Sequence, residues 1–163
     1  MKELTDPEIR ASFVNCSKGE ASRLTTPRDL PELPWPDLDF LGWRDPAAPQ
    51  RSYIVAEHEG RHVGLSFRLP SPRAGVRHQS MCSICLTTHT ASGVTLMTAR
   101  RARQSGHGDD TVGEYICSDL ACSLYVRGKK RAQPGGRMKE SLTVDEKVER
   151  LRTKFAGFLG ALL

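Results

Sequence analysis

The sequence predicts an α+β domain: a small antiparallel sheet with helices at both ends. Three observations lead there. Helix-start signals open amphipathic runs near each end of the chain, paired strand-like runs with turn residues between them fill the middle, and two close cysteine pairs flank the second hairpin. At 163 residues and 38% hydrophobic content, the chain can bury one ordinary core or two small ones. The expected organisation is residues 1–75 as N-terminal helix, Pro-rich segment and β-hairpin, and 76–163 as a metal-binding module with a C-terminal helix, the two read as one compact unit.

Taken in order, Thr5 and Glu8 have capping-box spacing, with Leu4 and Ile9 placed to staple the helix start. Ile9, Phe13 and Cys16 then fall at helical spacing, so Cys16 is expected as a small buried side chain. Thr26 to Pro49 holds most of the prolines together with Trp35, Phe40 and Trp43, and reads as an extended segment laid over a core and anchored by its aromatics. Tyr53–Ala56 and His62–Arg68 are strands joined at Glu59-Gly60. Leu69 to Gln79 reads as an exposed linker.

Further strands are expected at Val94–Ala99 and Val112–Cys117, around a polar loop from Arg100 to Asp110. A helix is expected to begin at Ser118 or Asp119 and to stop near Arg131 or Ala132, ahead of Pro134-Gly135-Gly136. A last capping box, Thr143 and Glu146, opens a helix whose apolar face is Val144, Val148, Leu151, Phe155 and Phe158.

Cys82 and Cys85 form a C-x-x-C pair, and Cys117 and Cys122 a second pair spaced by four residues. Cytosolic thiols stay reduced, so paired cysteines in a chain without a secretion signal favour metal or redox chemistry over disulfides. Zinc takes four ligands tetrahedrally, and a tight turn carrying C-x-x-C presents both thiolates to one ion. The order of turn, hairpin and helix is the layout of a treble-clef zinc finger. A thioredoxin-like pair would need C-x-x-C at the start of a helix, which Leu86-Thr87-Thr88-His89 does not suggest. A mixed site with His89 or His107 in place of a cysteine stays open. Four thiolates would leave no position for water, so one structural Zn²⁺ is expected, without catalysis at the metal.

No nucleophile–base spacing, phosphate-binding glycine loop or dinucleotide fingerprint occurs, so no catalytic residue is assigned and an enzyme is not expected. No small-molecule substrate is implied. No apolar stretch is long enough to span a membrane, and the acidic, polar start lacks a signal-peptide core, so a cytoplasmic location with no membrane partner is expected. The 24 Lys+Arg against 19 Asp+Glu give a net charge of +5, which favours acidic partners. Arg100, Arg101 and Arg103 crowd the hairpin tip, and Arg127, Lys129, Lys130 and Arg131 follow the predicted helix. Together they form a candidate face for an acidic protein or, alternatively, for ribosomal RNA, although no base-stacking motif accompanies them.

Gly42-Trp43-Arg44-Asp45-Pro46, the Tyr53 to Phe67 hairpin, Cys82-Ser83-Ile84-Cys85, and Val112 to Cys117 through Cys122-Ser123 together resemble the C-terminal treble-clef domain of the FusB/FBP family, over about residues 5 to 155. The likeness is to its actinobacterial-type single-domain members. The resemblance implies a non-catalytic protein that binds elongation factor G and helps it leave the ribosome when fusidic acid has trapped it. In that family the zinc site includes a histidine; Cys117 matches a ligand directly and Cys122 falls where the histidine sits. The resistance proteins also carry an N-terminal helical bundle, for which the short helix and Pro-rich segment here offer no counterpart.

Overall fold

The structure, a computed structural model, describes residues 1–70, 80–90, 92–102, 110–132 and 140–163. Helix α1 (Asp6–Ala11) starts as its capping box requires: the Thr5 hydroxyl accepts from the Glu8 amide, and the Glu8 carboxylate accepts from the Thr5 amide at 2.8 Å. Leu4 and Ile9 are both buried, as the staple demands. The helix ends sooner than its apolar spacing suggests. Ser12 and Val14 instead bond to β3 (Arg61–Arg68), with the Val14 amide donating to the Gly64 carbonyl and the Gly64 amide to the Ser12 carbonyl. A Cβ on Gly64 would lie 2.5 Å from Ser12 Oγ, so glycine permits this approach. Cys16, freed from a helical stripe, is half-buried rather than buried. A second capping box at Ser17 and Glu20 starts the short α2 (Lys18–Arg23), an element beyond those expected from the sequence.

The Pro-rich segment is less extended than expected. It makes two 3₁₀ turns, at Leu30–Glu32 and Trp35–Asp37, and then enters the sheet as β1 (Phe40–Arg44). Its aromatics do anchor it: Trp35, Phe40 and Trp43 are buried, and the two indole N–H groups donate to the carbonyls of Leu30 and Thr25, each at 2.7 Å. Strands β2 (Arg51–His58) and β3 form the expected hairpin, closed by Glu59 at φ 49° and Gly60 at φ 75°. Positive φ at both positions of a two-residue loop matches the right-handed twist of the strands.

Beyond it come a two-stranded ribbon, β4 (Ser80–Met81) with β5 (Thr88–His89), and the second hairpin, β6 (Val94–Arg100) with β7 (Thr111–Cys117). The main sheet has the order β1-β2-β3-β6-β7 with antiparallel neighbours, so it draws strands from both sides of residue 75. Only Arg68 and Thr98 pair in register where β3 meets β6. Strand alternation gives the sheet two apolar faces. Leu41, Trp43, Tyr53 and Val55 point toward α1 and the Pro-rich segment. Phe40, Ile54, Leu65 and Phe67 point toward α4 (Val144–Leu162) and the cysteine module. Helix α4 buries Val148, Leu151, Phe155 and Phe158 as its spacing requires, whereas Val144 in its first turn is exposed.

Helix α3 (Cys122–Val126) is shorter than expected and starts later, after a turn through Ser118–Ala121. It ends at Arg127, with Gly128 following at φ 69°. No helix among the described residues is long and apolar enough to cross a membrane.

Candidate metal centre

Two tight turns build the site. After β4, the chain turns through Cys82-Ser83-Ile84-Cys85, with the Leu86 amide donating to the Cys82 carbonyl at 2.9 Å and the Cys85 amide pointing at Cys82 Sγ at 3.5 Å. Leu86 takes φ 57° to close the turn. The second turn repeats the device: β7 ends at Cys117, the Leu120 amide donates to the Cys117 carbonyl at 2.8 Å, and Leu120 also takes φ 57°. Cys122 follows as the first residue of α3. Turn, hairpin and short helix thus compose a treble clef.

The four Sγ atoms lie within 4.8 Å of one another, and all four cysteines are buried. Cys85 and Cys117 sulfurs are 3.4 Å apart, and those of Cys82 and Cys122 are 3.7 Å apart, so the thiols are free and not bridged. Without a cation such a cluster is electrostatically frustrated. Hydrogen bonds from Cys117, Cys122 and Cys85 favour a thiolate at Cys82, while the crowding by Cys117, Cys82 and Cys85 pushes the Cys122 thiol well above its ordinary value. One thiolate therefore suppresses the next. A divalent ion at the centre removes that conflict, because it favours the charged form of all four sulfurs. Four soft, buried, converging donors fit tetrahedral zinc, and the cluster could hold one such ion.

His89, weighed as a replacement ligand, stands one step outside. Its Nε2 lies 3.3 Å from Cys117 Sγ, and its ring meets Tyr125 edge-on with centroids 4.9 Å apart. The ring is seated against Gly93, where a Cβ would come within 2.4 Å of the His89 Cβ. An imidazole bonded to a ligating sulfur orients the ligand and moderates its charge. His107, the other histidine considered, lies outside the described residues.

The basic residues expected at a partner face are placed differently from one another. Arg127, 14% exposed at its side chain, donates to both carboxylate oxygens of buried Asp39, at 2.6 and 3.1 Å, and Arg152 of α4 reaches the same carboxylate at 2.9 Å. Burial alone would push the Asp39 carboxyl up; the two guanidinium groups outweigh it and hold the carboxyl below its ordinary value. Lys129 pairs with Asp37 at 2.6 Å, and Lys130 with Asp119 at 2.8 Å beside the Tyr125 ring. Arg101 pairs with Asp110 at 3.0 Å, Arg100 is exposed at the end of β6, and Arg131 is exposed with no ion pair to a described residue. Arg103 lies outside the described residues. The structure thus brings Arg127, Lys129 and Lys130 against acidic residues of the segment before β1 and of the second cysteine turn. Sequence spacing held no signal for Asp39, whose partners are 88 and 113 positions away.

A family model described as the FBP C-terminal treble-clef zinc-finger matches residues 8–162. No curated protein matches the sequence. Among solved structures, the fusidic acid resistance protein FusC is similar at 20% identity with a TM-score of 0.47, over 62% of this chain and 45% of that one. This chain therefore spans less than half the length of FusC. Because the family model runs across nearly the whole sequence, and Cys82, Cys85, Cys117 and Cys122 converge in one buried cluster, the chain belongs to the FBP C-terminal treble-clef zinc-finger family.

Proposed function

We propose that the protein is a non-catalytic, zinc-containing binder of elongation factor G that acts in the cytoplasm and promotes release of the factor from the ribosome. The observation that carries this reading is the family match over residues 8–162 together with an intact four-cysteine centre. A centre closed by four sulfurs has a scaffold role and offers no open coordination position for chemistry. A binder of this kind works by preferring one conformation of its partner. Its effect is bounded by the ratio of its affinities for the ribosome-compatible and ribosome-incompatible states.

The treble-clef module is the proposed docking element, with Arg100, Arg101, Arg103, Arg127, Lys129, Lys130 and Arg131 supplying positive charge. Lys129 and Lys130 remain substantially exposed while paired, so they can add to a field felt by an acidic surface. Charge reversal at Lys129, Lys130 and Arg131 is expected to slow association. It should cost little in folding, since exposed ion pairs contribute about 0–1 kcal/mol each. Titration of the zinc-loaded protein with purified elongation factor G at low and physiological salt tests the proposal. Saturable one-to-one binding that survives salt supports it. Absence of binding at both salts overturns it, and a steeply salt-dependent affinity for ribosomal RNA would replace it with the RNA reading.

A further inference from the structure

Away from the cysteine cluster, on the opposite face of the sheet, α2 and the ends of β2 and β3 enclose a polar cavity of about 310 Å³. Arg23, Arg51 and Arg68 line it, with Ser66. Arg51 and Arg68 are directly opposite each other in the β2–β3 register, so two like charges face one another across adjacent strands. That arrangement is unfavourable unless something neutralises it. The third guanidinium, from the end of α2, adds to the excess.

The two carboxylates that line the cavity are already committed. Asp45 accepts from the Ala47 and Ala48 amides and from the Tyr53 hydroxyl, at 2.9, 3.3 and 3.1 Å. Glu20 accepts from the Ser17 amide and hydroxyl, each at 2.9 Å, and lies in the field of Arg51 and Arg23, whose charges also lower its carboxyl, without pairing directly with either. No carboxylate comes within ion-pair distance of Arg23, Arg51 or Arg68 among the described residues. Cys16 also lines the cavity, but burial, aided by Glu20, pushes its thiol up, so it brings no competing negative charge.

We propose that this cavity is a binding site for a small polyanion, whose phosphoryl or carboxylate oxygens are held by Arg23, Arg51 and Arg68 with Ser66 as a further donor. Guanidinium forks match such oxygens two at a time, and a cavity of about this size falls at the small end of ligand sites. The site rests on residues other than the zinc module and is independent of elongation factor G.

The test is calorimetric titration of the zinc-loaded protein with inorganic pyrophosphate and with citrate, at constant ionic strength set by chloride. One-to-one saturable binding of either is expected; pyrophosphate alone would identify a phosphoryl site, and citrate alone a carboxylate site. Arg51→Gln and Arg68→Gln should each weaken binding about tenfold or more, and Arg131→Gln should leave it unchanged. Arg23→Gln, on a different element, repeats the affinity test independently of the strand pair. No saturable binding by either anion overturns the proposal, as does equal weakening in Arg131→Gln or undiminished binding in the Arg51, Arg68 and Arg23 variants.

Discussion

The two faces of the central sheet are closed by different means. On one, Trp43 and Tyr53 meet Phe13 edge-on at 6.5 and 5.8 Å, and the cover is chain that precedes the sheet. On the other, Phe40 stacks on Phe155 at 4.4 Å and Phe67 on Phe158 at 5.9 Å, and the same apolar cluster contains all four cysteines. The first face needs only apolar burial and two capped helices. The second has a core partly made of four crowded sulfurs, whose mutual repulsion when ionised a bound cation would relieve. Metal dependence is thus a property of one face, although both faces share the same strands.

Removing the metal should separate the two most strongly. Cys82→Ser with Cys117→Ser, or chelation, is expected to cost the folding energy of a structural zinc, about 10 kcal/mol or more, and to abolish ordered side-chain signals from α3, α4 and the second hairpin. Two-dimensional NMR or near-ultraviolet circular dichroism reads this directly; a double variant with native signals throughout would end the distinction between the faces.

Asp39 ties the N-terminal cover to the second face through Arg127 and Arg152, so Asp39→Asn leaves a largely buried guanidinium without its counter-charge. A loss of about 3 kcal/mol is expected in urea unfolding. Because the folded carboxyl sits below its ordinary 3.8, the contribution is fully present above the unfolded value and fades as pH falls through the lower, folded one. The acid-unfolding midpoint of the wild type should therefore lie lower than that of Asp39→Asn.

A smaller effect is expected at Gly42, on β1 where it faces the cysteine module. A Cβ there would stand 2.6 Å from Leu120 Cβ, so Gly42→Ala should cost about 1–3 kcal/mol. Leu120→Ala would not relieve this clash, since it retains the Cβ, whereas Leu120→Gly in the Gly42→Ala background should recover part of the loss and also suits the positive φ. Unchanged stability of Gly42→Ala would mean that the two turns and β1 are not closely seated. The least effect, and of opposite sign, is Glu59→Asn in the β2–β3 turn. Asparagine tolerates φ 49° better, so thermal unfolding should shift upward by the equivalent of about 0.5 kcal/mol, with no change in zinc affinity.

What could be read in the chain follows the same division. Capping boxes at Thr5 and Thr143, the Glu59-Gly60 turn and the cysteine spacing are local signals, and the elements they announce are present at those places. Strand β1 was hidden because its neighbours Pro36 and Pro46 sit just outside it, where they leave the ladder intact but dominate the composition. The early end of α1 reflects the docking of Ser12 and Val14 on Gly64, a tertiary event without a local marker. Helix α3 starts late because Ser118–Leu120 are consumed in turning the second cysteine pair toward the first. At the site, the four sulfurs were legible from spacing, whereas His89 as a neighbour of Cys117, and Asp39 as the anchor of Arg127, depend on chain segments brought together from afar.

The single registered pair between β3 and β6 sets an order of assembly. Each flanking ladder is closed locally, β2 to β3 by a two-residue turn and β6 to β7 by a hairpin, and such ladders form within microseconds. The seam joins Arg68 to Thr98 across a long stretch of chain, so it gains its contacts only after loop-closure entropy has been overcome. Amide hydrogens along that seam should exchange with solvent ahead of those inside either hairpin, making it the line along which the sheet first parts.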